Sequence, residues 1–280
     1  MKLNFNNPVL SKEIKLRFRT AKSFNGILFY LLIMCIFVFG FIFVTMSVNR
    51  TSYFTPDESF LLFTLLSFIQ LGLVLFISPG LTAGVISTER EKQTLPILLT
   101  TSQSSFQIIT GKLLSSLAFL LLLIFAGLPI YSLVFLFGGI SPLDFGLVFL
   151  YLFVTLLAMG SIGVMFSTIT RRTIVSMIAT YGTMLFLTIV TAFLSLMFVQ
   201  LQSLSTSAVP SSFPAYFLAA INPGVLMSSI LAPEIEEAIS SFTAVNFPLW
   251  GTYLIFYLSV TILALFIAIK NLRVNMKRHK

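Results

Sequence analysis

Glu89, Arg90, Glu91 and Lys92 stand in a row between two strongly apolar stretches. Such a cluster can do acid–base chemistry, help hold a metal, or form ion pairs. A metal centre needs several thiolate, imidazole or carboxylate ligands. The chain has one cysteine, Cys35, and one histidine, His279, next to last. Neither a metal-ligand set nor a disulfide framework follows from that pair. No phosphate-binding loop of the Gly-x-x-x-x-Gly-Lys-Ser type occurs. The nearest approach, Gly111-Lys112, lacks the earlier glycine and the following hydroxyl. No Asp or Glu pair lies inside an apolar stretch, which removes intramembrane proteolysis. Buried charge usually marks ion or proton relays, and within these stretches stands only Lys112, at the entry of the third. No catalytic residue is assigned and the chain is not read as an enzyme; the charges are read as holding and docking groups.

The groups that position them follow from composition. The chain has 280 residues, 57% hydrophobic and only 9% charged, with 31 phenylalanines and a mean hydropathy of +1.01. Soluble domains carry about 25% charged residues, so the solvent here is lipid. The expected class is all-α and polytopic. A span needs about 20 apolar residues to cross a ~30 Å hydrocarbon layer. Six stretches qualify: Gly26 to Val48, Ser59 to Ile86, Ile108 to Phe137, Phe145 to Ile169, Thr173 to Leu201 and Pro248 to Ile269. They are apolar all round, unlike the alternating strands of a membrane barrel.

If six spans alternate, every basic residue except Arg50 falls on one side, and Asp57, Glu58, Asp144, Glu234, Glu236 and Glu237 fall on the other. The positive-inside rule then places both termini in the cytoplasm, in the plasma membrane. The net charge of +8 is read as a topology and anionic-lipid signal, with no nucleic-acid partner. The first 25 residues are too charged for a secretory signal, so no cleaved peptide is expected.

The other segments divide as follows. Residues 1–25 hold an amphipathic interfacial helix, capped by Asn7 with Pro8 in its first turn. Leu10, Ile14 and Phe18 share one face, and Lys12, Lys15, Arg19 and Lys22 lie mostly elsewhere. Residues 26–280 form the six-span domain, in which residues 87–107 are a cytoplasmic link and 202–247 an extracellular segment. Four prolines, Pro210, Pro214, Pro223 and Pro233, with Pro248 just after the segment, break it into short helices that dip into the outer leaflet. It is expected to pack on the outer ends of the spans and to be able to act as a gate. The link between the fourth and fifth spans is only "TRR", which makes them a tight antiparallel pair. Ala158, Gly160 and Gly163 offer a close-packing face on the fourth span. Gln70 is a long polar side chain well inside a span and is a candidate for the pathway or a dimer interface.

Within the link, Thr94 or Leu95 can cap a short helix starting at Pro96. Leu95, Leu98 and Leu99 then form an apolar ridge beside the charges.

The run from Glu89 to Lys112, "EREKQTLPILLTTSQSSFQIITGK", resembles the signature of the type-2 export permeases of ABC transporters. Glu89, Arg90, Glu91, Thr94, Leu95, Leu98, Leu99, Ser104, Gly111 and Lys112 match that pattern. Asn7-Pro8-Val9-Leu10 with Lys12, Glu13 and Arg17 resembles the family's N-terminal connecting helix. Gln93 stands where Gly is common, Pro96 where an acid is common, and Ser102 where Pro is common. The resemblance implies a dimer of permease chains, either two copies or two different ones. Each chain docks a separate cytosolic ATPase through the link as a coupling helix. In that picture Glu89, Arg90 and Glu91 make polar contacts to the ATPase groove or to the N-terminal arm, and Leu95 and Leu98 are apolar anchors. ATP and Mg would be bound by the partner, with no cofactor in this chain. The cargo would be hydrophobic or amphipathic. The alternative is a non-transporting scaffold, sensor or assembly subunit.

Overall fold

The computed structural model describes residues 8–18, 21–49, 55–100, 103–204 and 213–277, and every regular element among them is helical. The order is α1 (Pro8–Phe18), α2 (Ala21–Asn49), α3 (Pro56–Thr82), α4 (Ser87–Glu91), α5 (Leu95–Leu99), α6 (Ser105–Ala126) and α7 (Leu128–Phe137). Then come α8 (Pro142–Ile169), α9 (Thr173–Leu185), a π turn (Phe186–Val190) and α10 (Thr191–Leu204). The chain closes with α11 (Phe213–Ala220), α12 (Pro223–Leu231), α13 (Pro233–Thr243) and α14 (Leu249–Lys277). The Asn7 cap lies outside the described residues.

Six helical stretches among the described residues are long and apolar enough to cross a membrane, the architecture of a multi-pass membrane protein. They are α2, α3 with α4, α6 with α7, α8, α9 with α10, and α14. The second of these stretches has 36 residues, of which α3 takes 27, or about 40 Å at 1.5 Å per residue, against a hydrocarbon layer of ~30 Å. Glu89–Glu91 follow α3 at the far end of this stretch, after the turn at residues 83–86. α11 and α12 form a pair bent by 84°, at the place where the prolines forbid one continuous helix.

Helix α8 is the centre of the bundle, packed against α3, α6, α9 and α14. Its small residues make this possible. A side chain on Gly163 would overlap the Thr82 hydroxyl, and one on Gly160 would meet Leu117 of α6 at 2.8 Å. The expected close-packing face is thus where α3 and α6 reach α8. The exposed residues are large and apolar: Phe29, Phe39 and Phe43 on α2, and Ile178, Phe193 and Leu196 on the fifth stretch. That distribution suits lipid as the solvent of the outer wall.

Three helix starts show why the sequence breaks where it does. Thr55 accepts from Glu58 N while Glu58 reaches back to Thr55 N, and Ser104 with Gln107 repeats this at α6. Both are reciprocal capping boxes. α7 begins after Gly127, where Pro129 interrupts the third apolar stretch. Glycine is needed at Gly127, because a side chain there would overlap the Tyr30 hydroxyl.

Candidate functional site

After Thr82 the chain leaves α3 through a short irregular turn and restarts at Ser87. Ser167 of α8 supports that restart: its Oγ accepts the amides of Ile86 at 2.8 Å and Ser87 at 3.0 Å. Consecutive helical residues point about 100° apart. The next three charged side chains therefore fan out to different neighbours.

Glu89 turns toward α6. Its Oε1 accepts from Lys112 Nζ at 2.5 Å, and the same ammonium donates to Glu13 Oε1 of α1 at 3.0 Å. Lys112 is only 5% exposed, and the two carboxylates are 24% and 29% exposed. One cation thus holds two acids from separate elements. The second oxygen of Glu89 is buried with no hydrogen-bond partner among the described residues.

Arg90 turns toward the end of α8. It donates through Nη1 to the Thr170 carbonyl at 2.6 Å and through Nη2 to the Thr168 carbonyl at 3.0 Å. Those carbonyls belong to a helix C-terminus, where a cation is favoured. Glu91 turns toward the start of α9. Its Oε1 accepts the Thr173 amide at 2.7 Å and its Oε2 the Thr173 hydroxyl at 2.9 Å. Arg172, at the cap position of α9, offers no side-chain cap, so Glu91 caps that helix from 82 residues away. The Thr173 amide, and then its hydroxyl, hold the Glu91 carboxyl below its ordinary value.

α4 ends in a turn closed by Thr94, whose amide and hydroxyl both donate to the Glu89 carbonyl, at 2.9 Å and 3.2 Å. The turn puts Gln93 at φ 58°, in the left-handed region that favours glycine. α5 then begins at Leu95, one residue before the expected start.

Two expectations are corrected here. Leu95, expected as an anchor presented outward, is buried in the chain's own core, and Leu99 packs against that core. The exposed apolar residue of α5 is Ile97, at 70% exposure. The reason is helical phase: α5 packs against α4, and Leu95 and Leu99, four residues apart, share the face that turns inward. Gln70, expected at a pathway or dimer face, is fully buried in this chain, accepting from Tyr30 of α2 at 2.6 Å. Lys12 is exposed on α1 and Glu13 joins Lys112. The side chains of Arg17 and Leu98 lie outside the described residues.

A second polar centre sits at the bend between α11 and α12, which sequence reasoning did not single out. Tyr257 of α14 donates to the Ile221 carbonyl at 2.9 Å, and Tyr151 of α8 to the Pro223 carbonyl at 2.6 Å. Between them Asn222 accepts from Val225 N at 3.0 Å, capping α12. Its signal in the sequence is Asn222-Pro223, a cap followed by the proline of a first turn.

No protein-family model matches the chain, and no curated protein matches it significantly.

Proposed function

We propose that the chain is the membrane-spanning permease subunit of an ATP-driven exporter, moved by a separate ATPase of the ABC type. The observation that carries this reading is the three-way clamp of Glu89, Arg90 and Glu91. A short helix at the end of the second stretch is tied by consecutive residues to α1 and α6, to the end of α8, and to the start of α9. A push on α5 therefore reaches three apolar stretches and the N-terminal helix at once. Such a link suits force transmission better than a simple loop does.

Two further features support the export-permease resemblance. Its pattern has Gly at the place of Gln93, the residue that adopts a left-handed backbone here. The bent α11–α12 pair fits the short re-entrant outer helices expected before the last span. With the basic end in the cytosol, α5 offers Ile97 to a docking ATPase, and a second permease chain completes the transporter. An open depression of about 400 Å³, lined by Phe68, Leu71, Leu75 and Ile189 together with Thr188, Asn222 and Ser228, suits a hydrophobic or amphipathic cargo.

The test is affinity purification of the full chain, with Ile97→Asp as the variant. The wild-type chain should bring down an ABC-type ATPase. Ile97→Asp should lose it while inserting normally, because Ile97 is not part of the core. Recovery of a different partner, with no ATPase activity stimulated by cargo, would instead identify a scaffold, sensor or assembly subunit.

A further inference from the structure

The fifth apolar stretch is not one uniform helix. The Thr191 amide donates to the Phe186 carbonyl, five residues back, which makes Phe186–Val190 a π turn. A π turn accommodates one extra residue and takes carbonyls out of the regular ladder. Thr180, Thr183, Thr188 and Thr191 each return a hydroxyl bond to the carbonyl four residues earlier. Such back-bonding softens and bends helices.

A side chain from across the bundle reaches this turn. Asn222 Nδ2 donates to the Thr188 carbonyl at 2.5 Å and to Thr191 Oγ1 at 2.8 Å. Asn222 is 2% exposed. Both of its N–H groups are engaged with the π turn, and its oxygen caps α12. One side chain thus joins the widest turn of the fifth stretch to the bend of the α11–α12 pair. On either side of it, tyrosines of α14 and α8 hold the carbonyls of Ile221 and Pro223.

We propose that Asn222 is a latch that holds the π turn open, so that the bent pair and the fifth stretch move as one body. Withdrawal of the bend then takes the Asn222 amide from the Thr188 carbonyl and the Thr191 hydroxyl and loosens residues 186–190. The latch rests on this geometry alone and stands whether or not the chain is an exporter.

Hydrogen exchange of the full chain in lipid discs tests it. Asn222→Ser keeps a good helix cap but removes the amide. Exchange should rise ~5-fold at residues 186–194 and 221–226, as expected for one lost hydrogen bond, and stay unchanged at α4. Deleting Ile189 removes the extra residue, so residues 186–194 should exchange more slowly than in the wild type. Thr191→Val tests the same link from the other side and should combine with Asn222→Ser less than additively, as directly linked groups do. It carries the test should the deletion fail to insert. Unchanged exchange at residues 186–194 in Asn222→Ser would overturn the proposal. So would strict additivity of the two substitutions, or a rise spread evenly through α4 and α8.

Discussion

At two places the bundle ties a break in its helices to its neighbours through three consecutive residues, and it does so with opposite chemistry. At Glu89–Glu91 the ties are ionic or charge-assisted. At Ile221–Pro223 they are all neutral, made by two tyrosine hydroxyls and one carboxamide. Depth accounts for the difference. Tyr151 and Tyr257 stand nine and eight residues inside their helices, or about 12–14 Å from the ends at 1.5 Å per residue. That is inside the apolar stretches that α8 and α14 offer a ~30 Å layer, where an ion costs several kcal/mol and a neutral group needs only its hydrogen bond. The charged clamp follows α3 at the end of the second stretch, and its carboxylates keep part of their surface in solvent, which shares the cost. Each end thus has an anchoring chemistry suited to its dielectric.

The comparison predicts unequal responses to substitution. The largest effect belongs to Lys112→Met, which leaves Glu13 and Glu89 without their shared cation. Removing one partner of a buried pair costs 3–5 kcal/mol, and the partly exposed carboxylates put this case near the lower end, about 3 kcal/mol. A thermal melt of the purified chain should show the loss, together with easier proteolysis of α1. A cost no larger than that of an exposed pair would mean that the clamp contributes no more than ordinary surface ions.

Tyr151→Phe should cost less, about 1 kcal/mol, because it removes one neutral bond and leaves the Pro223 carbonyl unpaired. The same melt should respond, and increased salt should leave the difference unchanged. A salt-sensitive loss would contradict the assignment of a neutral anchor.

The smallest effect is a gain. Gln93→Gly relieves a left-handed residue but loosens the unfolded chain, for a net stabilisation of about 0.5 kcal/mol. A denaturant titration should register it as a later midpoint. A lower midpoint would mean that the Gln93 side chain contributes more than its backbone costs.

The two regions were not equally legible. The charges of the first announce themselves in an apolar chain, and Glu13 and Lys112 were both visible at helical positions. Their targets were not. Thr168, Thr170 and Thr173 are ordinary residues around a short turn, and nothing local ties them to a segment some 80 positions earlier. Leu95 was misread because a five-residue helix has no period long enough to show which face turns inward. At the second region Asn222-Pro223 was readable as a helix start. Its bonds to Thr188 and Thr191 depend on a π turn that leaves no mark in the apolar pattern.

By itself the sequence determined the all-helical class, six stretches fit to cross a membrane, the placement of most charges outside them, and the break at Pro223. These depend on local properties: hydropathy, the missing N–H of proline, and the preference of Ser, Thr and Asn for helix starts. Only the tertiary structure decided which helix lies at the centre, which leucine is covered, and which carbonyl each charge or hydroxyl satisfies. Lipid solvates every apolar face alike, so hydropathy cannot say which of them meets another helix. Close approach at small residues and the need to pair each buried polar group choose among those faces, and both act between residues far apart in the chain.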